Sequence, residues 1–228
     1  MAATFVLVHG GFGTPAELAP VIPGLEARGH RAVTVDLPCE DAAATLEDYA
    51  RAVVEVLGEI VGPRILVGHS AGGATIALVA GQVPVDRIVF VTAVVPEPGR
   101  SIFEAAGAEA IATIDAVTID HGDGTRSFNL PLIAAMAPPE EQAATLAYLE
   151  ATQRKQGWLA MNQPWPGKGI PDVPRSYVLC TEDTILPPAR QREFAASLGV
   201  DPIEIASDHE VFGIKPDELA AILAGLAG

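Results

Sequence analysis

The chain has 228 residues, of which 49% are hydrophobic, and a formal charge of −15 from 14 basic and 29 acidic residues. This acidic balance argues against nucleic acid or an anionic membrane as a partner, because both are bound by basic surfaces. The length fits one large α/β domain, and no apolar run approaches the roughly 20 residues of a membrane span. Since its start also lacks a signal-peptide pattern, we expect a cytoplasmic protein.

Six apolar, β-rich runs alternate with helical patterns along the chain. The predicted strands cover residues 4–8, 31–35, 64–67, 87–91, 176–180 and 202–205. Apolar residues recur at helical spacing over 46–60, 74–79 and 219–226. This alternation predicts an α/β fold with a mainly parallel sheet flanked by helices.

The segment that follows the third predicted strand reads Val-Gly-His-Ser-Ala-Gly over residues 67–72 and fits the pattern G-x-S-x-G. In such a turn the glycines let a strand and a helix pack tightly around a strained serine, whose hydroxyl then points toward a base. Ser70 is therefore the candidate nucleophile. The N–H of Ala71, at the start of the helix, is a candidate donor to a developing oxyanion.

The segment from residue 97 to residue 172 has no central-strand pattern and is too long for a plain loop. Within it, residues 117–120 and 127–130 flank His-Gly-Asp-Gly, which predicts a hairpin, and a helix is predicted over 143–154. Because this insertion stands between the serine strand and a later acid-bearing strand, we expect it to cover Ser70. The predicted organisation is one α/β-hydrolase domain over 1–228 with an inserted cap at about 97–172.

A base and an orienting carboxylate are expected in loops near the C-terminal end of the chain. His209 follows the last predicted strand and is the candidate base, whereas His69 is interpreted as a local structural group. Asp183 follows the fifth predicted strand, at the edge where open α/β sheets place their sites. Glu182 and Asp208 are competing candidates for the carboxylate. The order Ser, Asp, His along the chain is that of α/β-hydrolases.

The glycine-rich stretch over residues 9–13 comes directly after the first predicted strand. It makes Gly11 the second candidate oxyanion donor. The same region fits G-x-G-x-x-A over 11–16, with Asp36 near the position of a ribose-binding acid, so an NAD(P)-binding Rossmann-type protein is an alternative. That alternative leaves the Ser70 turn, Asp183 and His209 unexplained.

Several of these stretches resemble a known family. Residues 5–10, 25–30, 35–37, 65–70, 177–183 and 208–209 are similar, in order, to the plant methylesterase and hydroxynitrile lyase family, which includes the salicylate-binding methylesterases. The resemblance implies an α/β-hydrolase that works without a cofactor. It also implies a triad of nucleophile, orienting acid and base with two oxyanion donors, which would be Ser70, Asp183, His209, Gly11 and Ala71.

The chain departs from that family at two places. Members of the family usually carry a Cys-His pair and a tryptophan after the first His-Gly, where this chain has Phe12-Gly13 and Ala16, so the pocket is expected to be reshaped. The cyanogenic lyases have a threonine after the first-loop histidine and a lysine after the catalytic histidine. Gly10 and Glu210 occupy these positions here, which argues against lyase chemistry.

We therefore predict a carboxylesterase-like serine hydrolase that cleaves a small to medium apolar ester through a Ser-His-Asp triad. Five apolar side chains are expected to line the substrate pocket: Phe12, Phe128, Trp158, Met161 and Trp165. The main alternative is a hydrolase-fold enzyme with diverted, non-hydrolytic chemistry, such as a lyase, dehydratase or cyclase. A ligand-binding protein on the same fold is a further alternative.

No cofactor or metal ion is expected. Cys39 and Cys180 stand far apart without C-x-x-C spacing, so a disulfide framework or a thiolate metal site is not predicted. The expected partner is the small-molecule ester, and the sequence leaves open whether the chain forms a homodimer.

Overall fold

The computed structural model describes residues 2–228, which form nine β-strands and twelve α-helices. The strands are β1 (Thr4–Val8), β2 (Arg31–Val35), β3 (Arg64–His69), β4 (Arg87–Val91), β5 (Thr118–Asp120), β6 (Thr125–Phe128), β7 (Gln156–Gly157), β8 (Arg175–Cys180) and β9 (Ile203–Ile205). The helices are α1 (Pro15–Leu18), α2 (Ile22–Glu26), α3 (Leu46–Gly58), α4 (Gly72–Ala80), α5 (Ile102–Ala106), α6 (Ala108–Val117), α7 (Leu130–Ala134), α8 (Gln142–Thr152), α9 (Trp158–Asn162), α10 (Pro188–Leu198), α11 (Val211–Ile214) and α12 (Pro216–Gly225). None of the helices in residues 2–228 is both long enough and apolar enough to cross a membrane.

Six of the strands form one parallel sheet in the order β2-β1-β3-β4-β8-β9. Each of the six predicted strands is present, with ends that differ from the prediction by at most two residues. The central strands are buried on both faces, which is why they appear in the sequence as continuous apolar runs. The predicted mainly parallel sheet flanked by helices is confirmed.

The two faces of the sheet carry separate apolar cores, because alternate residues of a strand point to opposite faces. Val6 and Val8 of β1 belong to the core that contains α3, α4 and α10. Phe5 and Leu7 belong to the core formed with α1, α2, α11 and α12. The helical stripes predicted over 46–60 and 219–226 therefore face opposite sides of the sheet.

The chain between β4 and β8 forms α5 to α9 and a small antiparallel sheet in the order β5-β6-β7. The predicted hairpin is present, and Thr118 pairs with Phe128 while Asp120 pairs with Arg126. Its second strand covers 125–128 rather than 127–130. The physical reason is that the Asn129 side chain accepts a hydrogen bond from the Leu132 N–H at 3.3 Å, so this residue caps α7 instead of continuing the strand.

Candidate active site

Ser70 occupies the sharp turn between β3 and α4 and has a φ of +51°, in the left-handed region that most residues avoid. Its carbonyl accepts hydrogen bonds from the N–H groups of Gly73 at 3.1 Å and Val94 at 3.0 Å, which hold the strained backbone. A Cβ on Gly72 would lie 2.6 Å from the carbonyl oxygen of Val8, and one on Gly10 would lie 2.8 Å from the Ser70 Cβ. The glycines around the turn therefore allow two loops to approach the serine closely.

His209 is fixed by a buried carboxylate. Its Nδ1 lies 2.6 Å from Oδ2 of Asp183, which leaves the Nε2 atom of His209 free for another partner. Both side chains are buried, and His209 lines the same cavity as Ser70. Among residues 2–228 the Ser70 hydroxyl has no side-chain hydrogen-bond partner, so the structure brings the two residues to one cavity without joining them directly.

Asp183 is the carboxylate that the fold brings to His209, and the two competing acids lie elsewhere. Oδ1 of Asp183 accepts hydrogen bonds from the N–H groups of Ile185 at 2.8 Å and Leu186 at 2.9 Å. Burial alone would raise the pKa of Asp183, but the charge of His209 and the hydrogen bonds from His209, Thr92 and the Leu186 N–H outweigh it, and the pKa is lowered. Glu182 and Asp208 are both exposed, and Oδ1 of Asp208 accepts a hydrogen bond from the Glu210 N–H at 2.9 Å.

Two residues that the sequence did not single out also hold Asp183. Thr92, just after β4, donates its hydroxyl to Oδ2 of Asp183 and has a φ of +38°, which is rare for a β-branched residue. Gln191 of α10 is buried and donates to the same carboxylate oxygen at 3.3 Å. Neither residue belongs to a sequence pattern, because Thr92 lies 91 residues from Asp183 along the chain and Gln191 lies 8 residues from it.

The two candidate oxyanion donors lie next to each other. A Cβ built on Gly11 would be 4.0 Å from the Cβ of Ala71, and among residues 2–228 neither N–H has a hydrogen-bond acceptor. The next residue, Phe12, has a φ of +63° and donates its N–H to Oε1 of Gln156 at 3.1 Å. The loop that carries Gly11 is thus held in a strained conformation, with the N–H of that glycine available to a ligand.

Gln156 connects this loop to the rest of the molecule. It is completely buried on β7, and its amide nitrogen donates to the Tyr49 hydroxyl at 2.9 Å and to the Gly157 carbonyl at 2.8 Å. All of its polar atoms therefore have partners. The sequence contained no signal for this residue, because a lone glutamine in a short strand is normally expected at the surface.

The cavity in front of Ser70 has a volume of about 830 Å³ and is walled mainly by apolar side chains. Of the five predicted pocket residues, Phe12, Phe128 and Met161 line it. Trp158 stands behind this wall, with its ring centroid 4.7 Å from that of Phe103, and Arg126 lies over its face at 4.3 Å.

Trp165 is also outside the cavity wall. It is buried in the apolar core beside α4, where its indole N–H donates to the Ala74 carbonyl at 3.1 Å. A large aromatic side chain with a satisfied N–H in the core has a packing role. In place of these two tryptophans, the inserted segment supplies side chains of α6, α7 and α8 to the wall, including Ile114, Ile133 and Tyr148.

A buried group of charges lies beside His209. The Nδ1 atom of His69 is 2.5 Å from Oε1 of Glu17, in an approach outside hydrogen-bond geometry, and its Nε2 donates to the His209 carbonyl at 2.9 Å. Burial would lower the pKa of His69, but the charge of Glu17 outweighs it and raises this pKa to about 9. The pKa of Glu17, which burial alone would raise, is lowered by the same pairing. His69 is therefore part of an ion pair, whereas the sequence predicted only a local structural role for it.

The residues that suggested an NAD(P)-binding protein make other contacts in the structure. Asp36 is paired with Arg154, whose guanidinium also donates to the Leu37 carbonyl at 3.0 Å. The buried His9 donates from Nδ1 to the Gly10 carbonyl at 2.8 Å, and burial lowers its pKa. Gly11 lines the cavity in front of Ser70, and Gly13 lies against the side chain of Glu17, so this segment forms part of the site around the serine.

A parallel sheet with a strained serine after its third strand, and with an Asp–His pair in loops at the same edge, defines the class of α/β-hydrolases. The chain belongs to the alpha/beta hydrolase family, whose family model matches residues 5–222.

Known relatives agree with this assignment. The chain is 28% identical to a pyrethroid hydrolase from Sphingobium wenxiniae, over 97% of this chain and 86% of that protein. It is 27% identical to methylesterase 2 from Arabidopsis thaliana, over 98% of this chain and 95% of that protein. A solved structure of an extracellular α/β-hydrolase from a Paenibacillus species superimposes with a TM-score of 0.84 at 25% identity and covers 98% of both chains. The resemblance to the plant methylesterases is confirmed, and the chain is an enzyme of the esterase and hydrolase class.

Proposed function

We propose that the protein is a carboxylesterase that cleaves a small to medium apolar ester, with Ser70 as the nucleophile, His209 as the base and Asp183 as the residue that orients the base. The observation that carries this proposal is the strained Ser70, with a φ of +51°, facing the same cavity as a histidine whose Nδ1 is 2.6 Å from a buried carboxylate. Strain of this kind is retained where the surrounding structure holds a functional residue.

The reaction follows from this geometry. Asp183 accepts a hydrogen bond from the Nδ1–H of His209, which keeps Nε2 available to take the proton of the Ser70 hydroxyl as it attacks the ester carbonyl. The N–H groups of Gly11 and Ala71 stabilise the oxyanion that forms. The protonated His209 then gives its proton to the leaving alcohol, and water releases the acyl group by the same route.

The cavity supports an apolar substrate of modest size. A volume of about 830 Å³ lies within the range of small-molecule sites, and the lining side chains are largely aliphatic and aromatic. We also propose that the segment over 97–172 acts as a cap, because α6, α7 and α8 supply much of the wall opposite Ser70. The names of the relatives, a pyrethroid hydrolase and a methylesterase, agree with ester cleavage.

The direct test is labelling with a fluorophosphonate probe, read by intact mass, together with hydrolysis of p-nitrophenyl acetate and butyrate. We expect the wild type to gain one probe adduct and Ser70→Ala to gain none. The same substitution should lower kcat by about 10³-fold or more, because only the oxyanion donors and substrate binding remain.

Ser197→Ala is the matched control, since this exposed serine of α10 bonds only the Phe194 carbonyl of its own helix. Retention of more than about a tenth of the rate by Ser70→Ala would remove this serine from the mechanism. Labelling at Ser70 with no turnover of a broad ester panel would instead favour the diverted, non-hydrolytic chemistry.

A further inference from the structure

Oδ2 of Asp183 faces three hydrogen-bond donors at once. His209 approaches it from Nδ1 at 2.6 Å, Thr92 donates its hydroxyl, and Gln191 donates from Nε2 at 3.3 Å. All four side chains are buried. A carboxylate oxygen has about two lone pairs for such bonds, so the three donors share its negative charge. The attraction between Asp183 and His209 therefore depends on the other two donors.

Gln191 makes its shorter contacts elsewhere. Its Nε2 donates to the Leu186 carbonyl at 2.7 Å and to the Cys180 carbonyl at 3.2 Å, and its Oε1 accepts the Cys180 N–H at 3.0 Å. Each of these distances is shorter than the 3.3 Å between Nε2 and Asp183. Gln191 therefore mainly holds the backbone around the acid, and Thr92 is the principal donor that competes with the histidine for Oδ2.

Thr92 occupies a strained position next to the proposed nucleophile. In the parallel pair β3 and β4, His69 lies beside Val91, so the residues that follow them, Ser70 and Thr92, are neighbours across the sheet. Both have a left-handed backbone, with φ of +51° and +38°. Such a conformation is unfavourable for a β-branched residue, and it is retained where the surrounding structure holds a functional group. The Thr92 hydroxyl thus reaches the acid from the strand beside the serine.

We propose that Thr92 is a positioning residue for the reaction, which acts through Asp183 to keep His209 available as a base at lower pH than the carboxylate alone would allow. This inference rests on the proposed function. The Thr92 hydroxyl holds Oδ2 where Nδ1 of His209 meets it, and it takes up part of the charge of that oxygen. Because a carboxylate that already accepts a strong hydrogen bond attracts a cation less, it stabilises the protonated histidine less.

Other ionisable groups also face His209, and a substitution at Thr92 leaves them in place. They come from α1, from the end of β3 and from the loop of the histidine itself: Glu17, His69, Asp208 and Glu210. None of them is a hydrogen-bond partner of Thr92, whose hydroxyl donates to Asp183. A change in the pH dependence of a Thr92 variant therefore reports on the Asp183–His209 pair.

Thr92→Val tests the proposal, because valine keeps the β-branched shape at this strained position and removes only the hydroxyl. Two quantities are measured from about pH 4.5 to about pH 8.5: kcat/KM for p-nitrophenyl butyrate and the rate of fluorophosphonate labelling at Ser70. Both fall at acid pH, when the base is protonated. We expect the acid limb of both profiles to move to higher pH by about 0.5 to 1 unit in the variant, while the plateau rate falls by less than about tenfold.

Three further variants separate the hydroxyl from the fold. Thr92→Ser keeps the donor and should keep the acid limb of the wild type. Thr92→Ala removes the donor without a branched side chain at positive φ, so it should shift the limb in the same direction even if the valine variant does not fold. Thr4→Val is the matched control, because Thr4 is buried at the N-terminal end of β1, whereas the site lies at the C-terminal ends of the strands. It should leave both profiles unchanged.

Two outcomes would overturn the inference and leave the esterase mechanism intact. One is an acid limb that stays in place in the folded hydroxyl-free variants. The other is a limb that moves to lower pH, because the hydroxyl would then strengthen the attraction of Asp183 for His209. If no ester is hydrolysed but Ser70 is labelled, the esterase proposal fails and the labelling profile alone decides the role of Thr92. Absent labelling of the wild type would overturn the proposed nucleophile and this inference together.

Discussion

The two oxygens of Asp183 hold different parts of the site. Oδ1 holds the following loop through the N–H groups of Ile185 and Leu186, and Oδ2 holds His209. The neighbouring Asp208 has a loop-closing contact with the Glu210 N–H at an exposed position. Although Asp208 adjoins the histidine in sequence, it is the distant Asp183 whose side chain reaches the ring.

We therefore expect Asp183→Asn to lower kcat by about 10³-fold to 10⁴-fold, because an amide stabilises the wrong tautomer of His209 and cannot stabilise its charged form. Asp208→Asn should lower kcat by less than about tenfold, since an exposed amide oxygen still accepts the N–H bond. Steady-state kinetics on p-nitrophenyl butyrate checks both values. The opposite order of the two effects would mean that Asp208 is the orienting acid.

The His69–Glu17 pair should make stability depend on pH. The pKa of His69 is raised from 6.5 to about 9, so the stabilisation is complete below about pH 6.5, declines as the pH rises and is lost above about pH 9. The pKa of Glu17 is lowered, so at the acid end the pair weakens only below the ordinary value of 4.5. The groups that face His69 are Glu17 from α1 and Glu210 and the His209 carbonyl from the loop before α11.

Urea unfolding of wild type and His69→Gln measures this effect. The difference in free energy of unfolding should be about 2 to 3 kcal/mol larger at pH 6 than at pH 9.5, because the pair of the wild type is charged only at the lower pH. A difference that stays constant across this range would show that His69 is not held as a cation.

At the scale of elements, a side chain of β7 holds the loop after β1 in place through a hydrogen bond. The Gln156 side chain accepts the Phe12 N–H and donates to Tyr49 of α3, so three elements that are distant in sequence meet at one amide. Because Gly11 directly precedes Phe12, the direction of its N–H depends on this contact. Gln156 thus acts as a positioning residue for the proposed oxyanion donor.

Gln156→Met keeps the volume but removes all three hydrogen bonds of the side chain. We expect kcat to fall by about 10-fold to 100-fold with little change in KM, since the loss of one aligned oxyanion donor affects the transition state. Binding of a boronic acid, which mimics the tetrahedral intermediate, should weaken in parallel.

Gln163→Met is the control for this substitution. Its amide oxygen accepts the Leu46 N–H at the start of α3, away from the oxyanion loop. This variant should lose stability of about 1 kcal/mol without a loss of kcat. If Gln156→Met lowers the unfolding temperature but leaves kcat and boronic acid binding unchanged, its role is structural alone.

At the scale of the whole molecule, the net charge of −15 means that acidic side chains repel one another across the surface. The ion pairs on that surface, such as Arg192–Glu204 and Arg51–Asp48, join largely exposed side chains and contribute little each. Screening by salt should therefore relieve more repulsion than it removes attraction.

Raising NaCl from about 10 mM to about 0.5 M at pH 7 is expected to raise the unfolding temperature by about 2 to 5 °C. The measurement is differential scanning calorimetry, and the control is the same pair of salt concentrations near pH 4.6, the isoelectric point of the sequence, where the rise should vanish. A lower unfolding temperature at high salt and pH 7 would mean that specific ion pairs outweigh the net repulsion.

Features encoded by contiguous residues were predictable from the sequence alone. The six strands of the parallel sheet, the hairpin turn and the turn around Ser70 all follow from local patterns, because periodicity and glycine positions act over a few residues. Since the C-terminal ends of parallel strands meet at one edge, the positions of Asp183 and His209 after β8 and β9 also predicted their pairing.

Other features were decided only by the tertiary structure, because they depend on which distant segments pack together. The sequence contains no sign that Thr92 and Gln191 hold Asp183, or that Gln156 holds the loop after β1. Trp158 and Trp165 were predicted to line the pocket because they are aromatic, but they pack behind its wall. The position of each ring depends on which helices pack over it. The ion pair of Glu17 with His69 likewise forms only when α1 packs beside the end of β3, because the two residues are 52 positions apart in sequence.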